Sequence, residues 1–388
     1  MRRLFLCFLC LLLIGSLLLI GCGKKNISAA MDRLTDPRGS IPFNQSNYSV
    51  GFLETCFADY YTMWPEASSL AFIQVQPKGS DIFVPLCSKP NCMHNSESCN
   101  AVCIPGGGLG YCNNRLYAMD NAMDNSGGFV VVSMLPDGTD RIIETKIPNP
   151  THSDGTQGGS FQFVFHENWL LALFEPPANL PLEEQIERLY TVNVQTNTIT
   201  EPFSDFFTSK VSLGEAIRPV DNIIYAEAYF QNDDGTIENW WISMNMDTGD
   251  VKKLLSFDNP WTFNVEDDTL YYQLPEDGFM EYDLRTGTTT CRGLPMPDAV
   301  GDMRLDGELI YTLTNAGEPG NFEARDFTMY FLNRDYEVLD QIHLGPGVFP
   351  RYADKEFCFF IGPDSTKLIY RLDKTLIGTG SLELESLQ

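Results

Sequence analysis

Short apolar strands alternate along most of this chain with turns made of Asp, Asn and Gly, and the alternation recurs as a phrase. An acidic or amide turn followed by an apolar run reads Asn113-Asn114-Arg115-Leu116-Tyr117, then Glu167-Asn168-Trp169-Leu170-Leu171, then Asp221-Asn222-Ile223-Ile224-Tyr225. It returns at Asp267-Asp268-Thr269-Leu270-Tyr271, Asp306-Gly307-Glu308-Leu309-Ile310-Tyr311 and Asp354-Lys355-Glu356-Phe357-Cys358-Phe359. Between these copies lies a second phrase, a strand running into a turn. Its copies are Leu189 to Asn193 before Thr196-Asn197, Trp241 to Asn245 before Thr248-Gly249, Met280 to Asp283 before Thr286-Gly287, Met329 to Asn333, and Leu368 to Asp373. Asp, Asn and Gly tolerate positive φ, which tight antiparallel hairpins require. Helical periodicity is nearly absent; Leu180 to Tyr190, with Pro181 and Glu183-Glu184, reads as one short helix inside an insertion or loop.

The residue closing the first phrase stands at positions 117, 171, 225, 271, 311 and 359, in steps of 54, 54, 46, 40 and 48 residues. Such spacing fits a four-stranded propeller blade of roughly 40 to 50 residues. An earlier copy starts at Asp59-Tyr60-Tyr61 and runs through Leu70 to Val75 into a Pro77-Lys78-Gly79 turn. The expected fold is therefore all-β, a β-propeller of seven four-stranded blades over 48–388; two packed β-sandwiches are the alternative arrangement of the same strands.

The first residues follow a different pattern. Met1, Arg2 and Arg3 precede an apolar run from Leu4 to Ile20, which ends in Leu19-Ile20-Gly21-Cys22 and is followed by Lys24-Lys25. Basic residues stay on the cytoplasmic side, the apolar run enters lipid, and small Gly21 lets a peptidase reach the next bond. Residues 1–21 thus read as a lipoprotein signal peptide, and Cys22 as the thiol that takes a diacylglycerol and then further acyl chains such as palmitate. An uncleaved membrane helix is the competing reading, since the run is at the short end of the roughly 17 to 25 residues that span a bilayer. Residues 22–47, with Lys, Ser, Asn, Pro37 and Pro42 but no apolar period, read as a flexible tether. The expected location is the outer side of the cell membrane, held by lipid on Cys22.

Composition narrows the partners. Asp and Glu number 52 against 26 Lys and Arg, a net charge of −26. Nucleic acid is excluded as a partner, because a backbone-binding surface needs clustered cations. The same charge opposes direct adhesion to an anionic lipid surface and leaves anchoring to the acyl chains.

One segment carries soft metal ligands: Pro85-Leu86-Cys87-Ser88-Lys89-Pro90-Asn91-Cys92-Met93-His94, closed by Cys99-Asn100-Ala101, within a cysteine-rich insertion at 87–112. Three thiolates and one imidazole, from Cys87, Cys92, Cys99 and His94, suffice for a structural zinc site. Disulfides are the equal alternative in an exported protein. Apart from Cys22, an even eight cysteines follow the leader: Cys56, Cys87, Cys92, Cys99, Cys103, Cys112, Cys291 and Cys358. Either staple would offset the ordering entropy of a long loop. With the lipobox before it and the strand phrases after it, the stretch PLCSKPNCMHNSESCNA resembles a group of propeller lipoproteins from Gram-positive gut anaerobes. The likeness covers nearly all of the chain after the leader. It implies a surface-anchored propeller and assigns no activity.

Catalytic signatures are few. The four histidines, His94, His152, His166 and His343, form no zincin motif, and there is no nucleophile elbow, phosphate loop or dinucleotide fingerprint. Thr151-His152-Ser153-Asp154 reads as a polar loop, and Asn232-Asp233-Asp234-Gly235 as a hairpin turn lacking the later carboxylate of a calcium loop. Trp240 and Trp241 are consecutive on a strand, so one faces between blades and the other outward; with Trp64, Trp169 and Trp261 they are candidates for sugar stacking or for blade packing. The expected role is a non-enzymatic binding or scaffold domain for an extracellular peptide, glycan or envelope partner, with no catalytic residue and a ligand site left unassigned. A glycan lyase or glycosidase is the alternative, and it would need converging carboxylates.

Overall fold

The computed structural model describes most of the chain from Phe52 to Leu387; residues 1–51, 56–57, 64–69, 81, 105–106, 123–127, 154, 156–157, 259–261, 275–276, 294–302, 316–325, 363–367 and 388 lie outside the description. The leader, Cys22, the tether, Cys56, Trp64, Asp154 and Trp261 fall among them. No helix of the described residues is long and apolar enough to cross a membrane.

Local turn chemistry builds the hairpins. The strand ending at Cys112 folds back at Arg115 through Asn113 and Asn114, both left-handed at φ 50° and 61°; Asp267 and Asp268 do the same at 46° and 61°. Glu167, Asp221 and Gly307 hold positive φ at the matching place in three more copies. In the second phrase the turn is closed by a side chain. The Asn193, Asn245 and Asp283 oxygens each accept backbone N–H groups two and three residues on, at 2.8–3.1 Å, an Asx turn.

The hairpins assemble into seven antiparallel sheets, each formed by one continuous stretch of chain. Blade 1 holds β1 (Phe52–Glu54), β2 (Ala58–Met63), β3 (Ala71–Pro77) and β4 (Val84–Pro85), with a further two-residue piece, β5 (Val102–Cys103), also on β3. Blades 2 to 7 cover 109–146, 160–200, 211–256, 262–293, 304–346 and 349–386. From blade 1 to blade 5, first strands of neighbouring blades lie against one another, which sets them around the axis. The fold is a seven-bladed β-propeller.

The two phrases are the second and third strands of each blade. Second strands run deepest in blades 2 and 3, as in Trp169–Glu175 with Leu170 to Phe174 enclosed, and alternate in burial in blade 4. Fourth strands are exposed, as in Ile142–Lys146 and Thr289–Gly293. Oily side chains between blades supply the cohesion. Trp241 is fully buried between blades 4 and 5, its ring centroid 4.5 Å from Phe257 and from Tyr272 and 6.2 Å from Phe263. Trp240 on the opposite face is half-buried, and the Lys253 ammonium lies 4.8 Å over its ring. The expected alternation is present, and Trp241 belongs to blade packing.

No described sheet combines strands from both chain ends, so the ring closes through side chains. Phe83 of blade 1 meets Tyr61 edge-on at 4.8 Å and Phe359 of blade 7 at 6.2 Å. Lys78 reaches Asp59 at 2.7 Å and Asp354 of blade 7 at 3.4 Å. Asp354 also accepts from the N–H groups of Glu356 and Phe357 at 2.7 and 2.6 Å.

Candidate metal centre

The outer strand of blade 1 is broken in two. β4 pairs with β3 at Gln74 and Val75, and β5 pairs with it at Ala71 and Phe72. Between them one residue of β3 serves both pieces: the Ile73 carbonyl accepts from Leu86 N–H at 2.9 Å, and Ile73 N–H donates to Ala101 at 2.7 Å. The chain therefore leaves the sheet after Leu86 and returns at Ala101 to the same point. Of the span 87–112, residues 87–100 make this excursion, 102–103 resume the outer strand, and 109–112 open blade 2.

Cys87, Cys92, His94 and Cys99 come together within the excursion. One ligand atom from each lies within 4.8 Å of all the others, and His94 Nδ1 stands 3.4 Å from Cys99 Sγ. Ligand atoms on a tetrahedral zinc ion at Zn–S of about 2.3 Å would lie about 3.4–3.8 Å apart, so small side-chain movements suffice to close the shell. Among the described residues no other group of three His, Cys, Asp or Glu converges in this way. The seven described cysteines are all free thiols. Cys103 is buried on β5, and Cys112 is buried in blade 2, accepting from Gln195 Nε2 at 3.1 Å.

Backbone N–H groups donate to two of the sulfurs. Burial pushes the Cys87 thiol up, but donors from Lys89 and Asn100 N–H and from the Cys99 and Cys92 side chains outweigh it, and its proton affinity falls below the ordinary thiol value. Cys99 is pushed up to about 12 by burial, against the Ala101 N–H that donates to its sulfur, with Cys87 and Cys92 adding to the rise. A cation among these sulfurs would reverse that rise, since a coordinating thiol is deprotonated outright. Asn91 and His94 hold left-handed backbone at φ 59° and 51°, a conformation costing on the order of 1 kcal/mol for such residues. Both flank Cys92, and their strain turns Cys92 and His94 toward Cys87 and Cys99. A Cys3His group of this kind can hold a metal ion.

The loop is also tied to blade 2. Asn100 Nδ2 donates to the Gly138 carbonyl at 2.8 Å, and Arg141 donates to the Asn100 carbonyl at 2.6 Å while its other nitrogen meets Asp120 at 2.5 Å. Gly138, at φ 78°, leaves no room for a side chain, because a Cβ there would lie 2.7 Å from the Leu86 carbonyl oxygen. Cys87 and Cys92 pack on an apolar cluster shared by Leu86 and Ala101 of blade 1 and Leu116 and Met134 of blade 2. None of these supporting residues stood out in the sequence: Asn100 adjoins the motif, but Gly138 and Arg141 lie about 40 residues away.

Other candidates from the sequence find structural places. His152 Nε2 is 2.7 Å from the Gly158 carbonyl and its ring stacks on Phe174. Ser153 bonds Glu184 through N–H and hydroxyl. The 180–190 stretch contains a single 3-10 turn, Leu182–Glu184, in place of the expected short helix, because Pro181 opens it and no further backbone bonds continue it. At 232–235 the chain makes a hairpin turn, with the Asn232 N–H bonded to Thr236 and Asp234 closing on Thr236. Glu187 accepts from Leu213 N–H of blade 4 at 2.8 Å, and burial raises its proton affinity to about 7.

No protein-family model matches the sequence, and no curated protein matches it. Solved structures do resemble it in path. The acylaminoacyl peptidase of Pyrococcus horikoshii is 10% identical with a TM-score of 0.51, covering 90% of this chain and 54% of the peptidase, so the chain spans about half that protein. The β-propeller domain of the Trilobed protease from Pyrococcus furiosus is 9% identical at TM-score 0.48, covering 85% of this chain and 93% of that one. An oligogalacturonate lyase of Vibrio parahaemolyticus is 13% identical at 0.48, with 81% of each chain covered. At such identities the likeness concerns the fold alone.

Proposed function

We propose that the chain is a lipid-anchored propeller on the outer side of the cell membrane, that it binds an extracellular peptide, glycan or envelope partner without converting it, and that a structural zinc ion staples its first blade. The observation that carries the zinc reading is the convergence of Cys87, Cys92, His94 and Cys99 in the excursion between the two pieces of a split strand. Thiolate and imidazole donors favour zinc over the hard cations, and four protein ligands leave no open position for substrate, so the ion serves structure. In native mass spectrometry of the reduced protein, chelation should remove about 65 mass units. A protein that never carries zinc, or carries it unchanged in Cys99→Ser, refutes this part.

The anchor reading rests on the Arg2-Arg3 leader and the Leu19-Ile20-Gly21-Cys22 box. Labelled palmitate should enter the full chain in a Gram-positive host and fail to enter Cys22→Ala. The binding reading draws on the fold, since loops from seven blades meet around one axis. Saturable retention of one glycan or envelope fraction, recovered chemically intact, is the expected result; recovery of cleaved product overturns it. One observation favours an enzyme instead: Glu187 is raised to about 7, as a general acid requires. Its bond to Leu213 N–H already commits it to the joint between blades 3 and 4, and this supports the structural role.

A further inference from the structure

We infer that Cys87 and Cys92 form an oxidation-sensitive latch: a two-electron oxidant such as a peroxide joins them in a disulfide, expels the metal, and loosens the excursion against blade 2. This rests on the zinc reading above and concerns the regulation of that same site. Three features carry it. The sulfurs of Cys87 and Cys92 lie within 4.8 Å of each other, so a disulfide requires only local movement. Both residues are partly exposed whereas Cys99 is buried, so a small oxidant in solvent meets Cys87 and Cys92 first. The metal's four ligands come from both ends and the middle of 87–100, and losing two of them leaves only His94 and Cys99, too few to retain zinc.

The chemistry balances with hydrogen peroxide. One thiolate sulfur, released from the metal, attacks a peroxide oxygen; the S–O bond forms, the O–O bond breaks, and hydroxide leaves, giving a sulfenic acid. The second thiolate attacks that sulfur; the S–S bond forms, the S–O bond breaks, and a second hydroxide leaves. The two cysteines together lose two electrons, the peroxide is reduced to two hydroxides that take up two protons as water, and one zinc ion is freed. A thiol reductant with zinc reverses the sequence.

The effect on structure follows from the ties. Cys99 adjoins Asn100, whose amide and carbonyl hold Gly138 and Arg141 of blade 2. Once the metal no longer fixes His94 and Cys99, 93–100 keeps only its own turns, the Lys89 bond to Ser98 and the two Asn100 bonds to blade 2. The Leu86 and Ala101 bonds to Ile73 lie outside the latch, so the outer strand of blade 1 stays on its sheet.

The test uses the full chain loaded with zinc, carrying Cys291→Ser and Met93→Leu to remove an exposed thiol and an exposed thioether. One equivalent of hydrogen peroxide should release one zinc, read with a chromogenic chelator, with a two-hydrogen mass loss mapped to the peptide holding Cys87 and Cys92. Hydrogen exchange should rise in 93–100 and 135–141 and stay unchanged in blades 4 to 6, and thiol plus zinc should restore it. Zinc retained after oxidation, or a disulfide formed elsewhere, overturns the latch while leaving the zinc site standing. A reduced protein that binds no zinc overturns both.

Discussion

Lys78→Met should unlock the ring at its one joint between chain ends. The ammonium lies between Asp59 and Asp354, whose side chains are 5% and 1% exposed. Removing one partner of a buried ion pair leaves uncompensated charge and typically costs about 3–5 kcal/mol. Two observations reduce that figure. Lys78 is 27% exposed, so water reaches the vacated space, and Asp354 keeps two backbone donors. A loss of about 2–3 kcal/mol remains, which for a domain of this size lowers the melting temperature by about 3–4 °C. Urea unfolding followed by tryptophan fluorescence measures it. Lys210→Met is the control: its partner Asp233 is 97% exposed, and such pairs contribute about 0–1 kcal/mol. Adding Asp354→Asn to Lys78→Met should recover part of the loss, because the amide oxygen still accepts both N–H groups while the surplus charge is gone. If Lys78→Met matches the control, or Asp354→Asn recovers nothing, closure rests on the aromatic contacts and the electrostatic reasoning fails.

Two further outcomes follow from buried groups. Trp241→Ala, at a fully enclosed ring between Phe257, Phe263 and Tyr272, should destabilise by about 3–5 kcal/mol in calorimetry, well beyond Trp240→Ala on the half-buried face. Glu187 holds its proton in the folded chain up to about pH 7 and releases it near its ordinary value when unfolded. Its contribution is therefore present below that ordinary value and declines as pH rises through the window to 7, by at most about 3 kcal/mol; Glu187→Gln should flatten stability across this window, and an unchanged pH slope would contradict the assignment.

The sequence displayed the fold through its most constrained strands. Second and third strands carry most of the buried side chains, so Leu170 to Phe174 and Trp241, Ile242 and Met244 had to be apolar and their turns had to be Asn, Asp or Gly. Fourth strands such as Thr289–Gly293 face water, and their composition carries little signal. The metal ligands were visible because thiols and imidazole cluster within thirteen residues, but residue spacing alone did not separate coordination from disulfides. In space four ligand atoms meet, three of them free sulfurs, with backbone donors aimed at two of the sulfurs, a group that could hold a metal ion. Lys78 read only as part of a turn, because its partner Asp354 is 276 positions away.

The return of the chain to Ile73 has a consequence for how this rim can change. An excursion that starts and finishes opposite a single residue adds no length to the ladder, so the register of the neighbouring strand does not depend on how many residues the detour contains. The site is thus a natural port: foreign segments spliced between Leu86 and Ala101 would be carried on the edge of the disc, and the other six blades would not have to move to accommodate them.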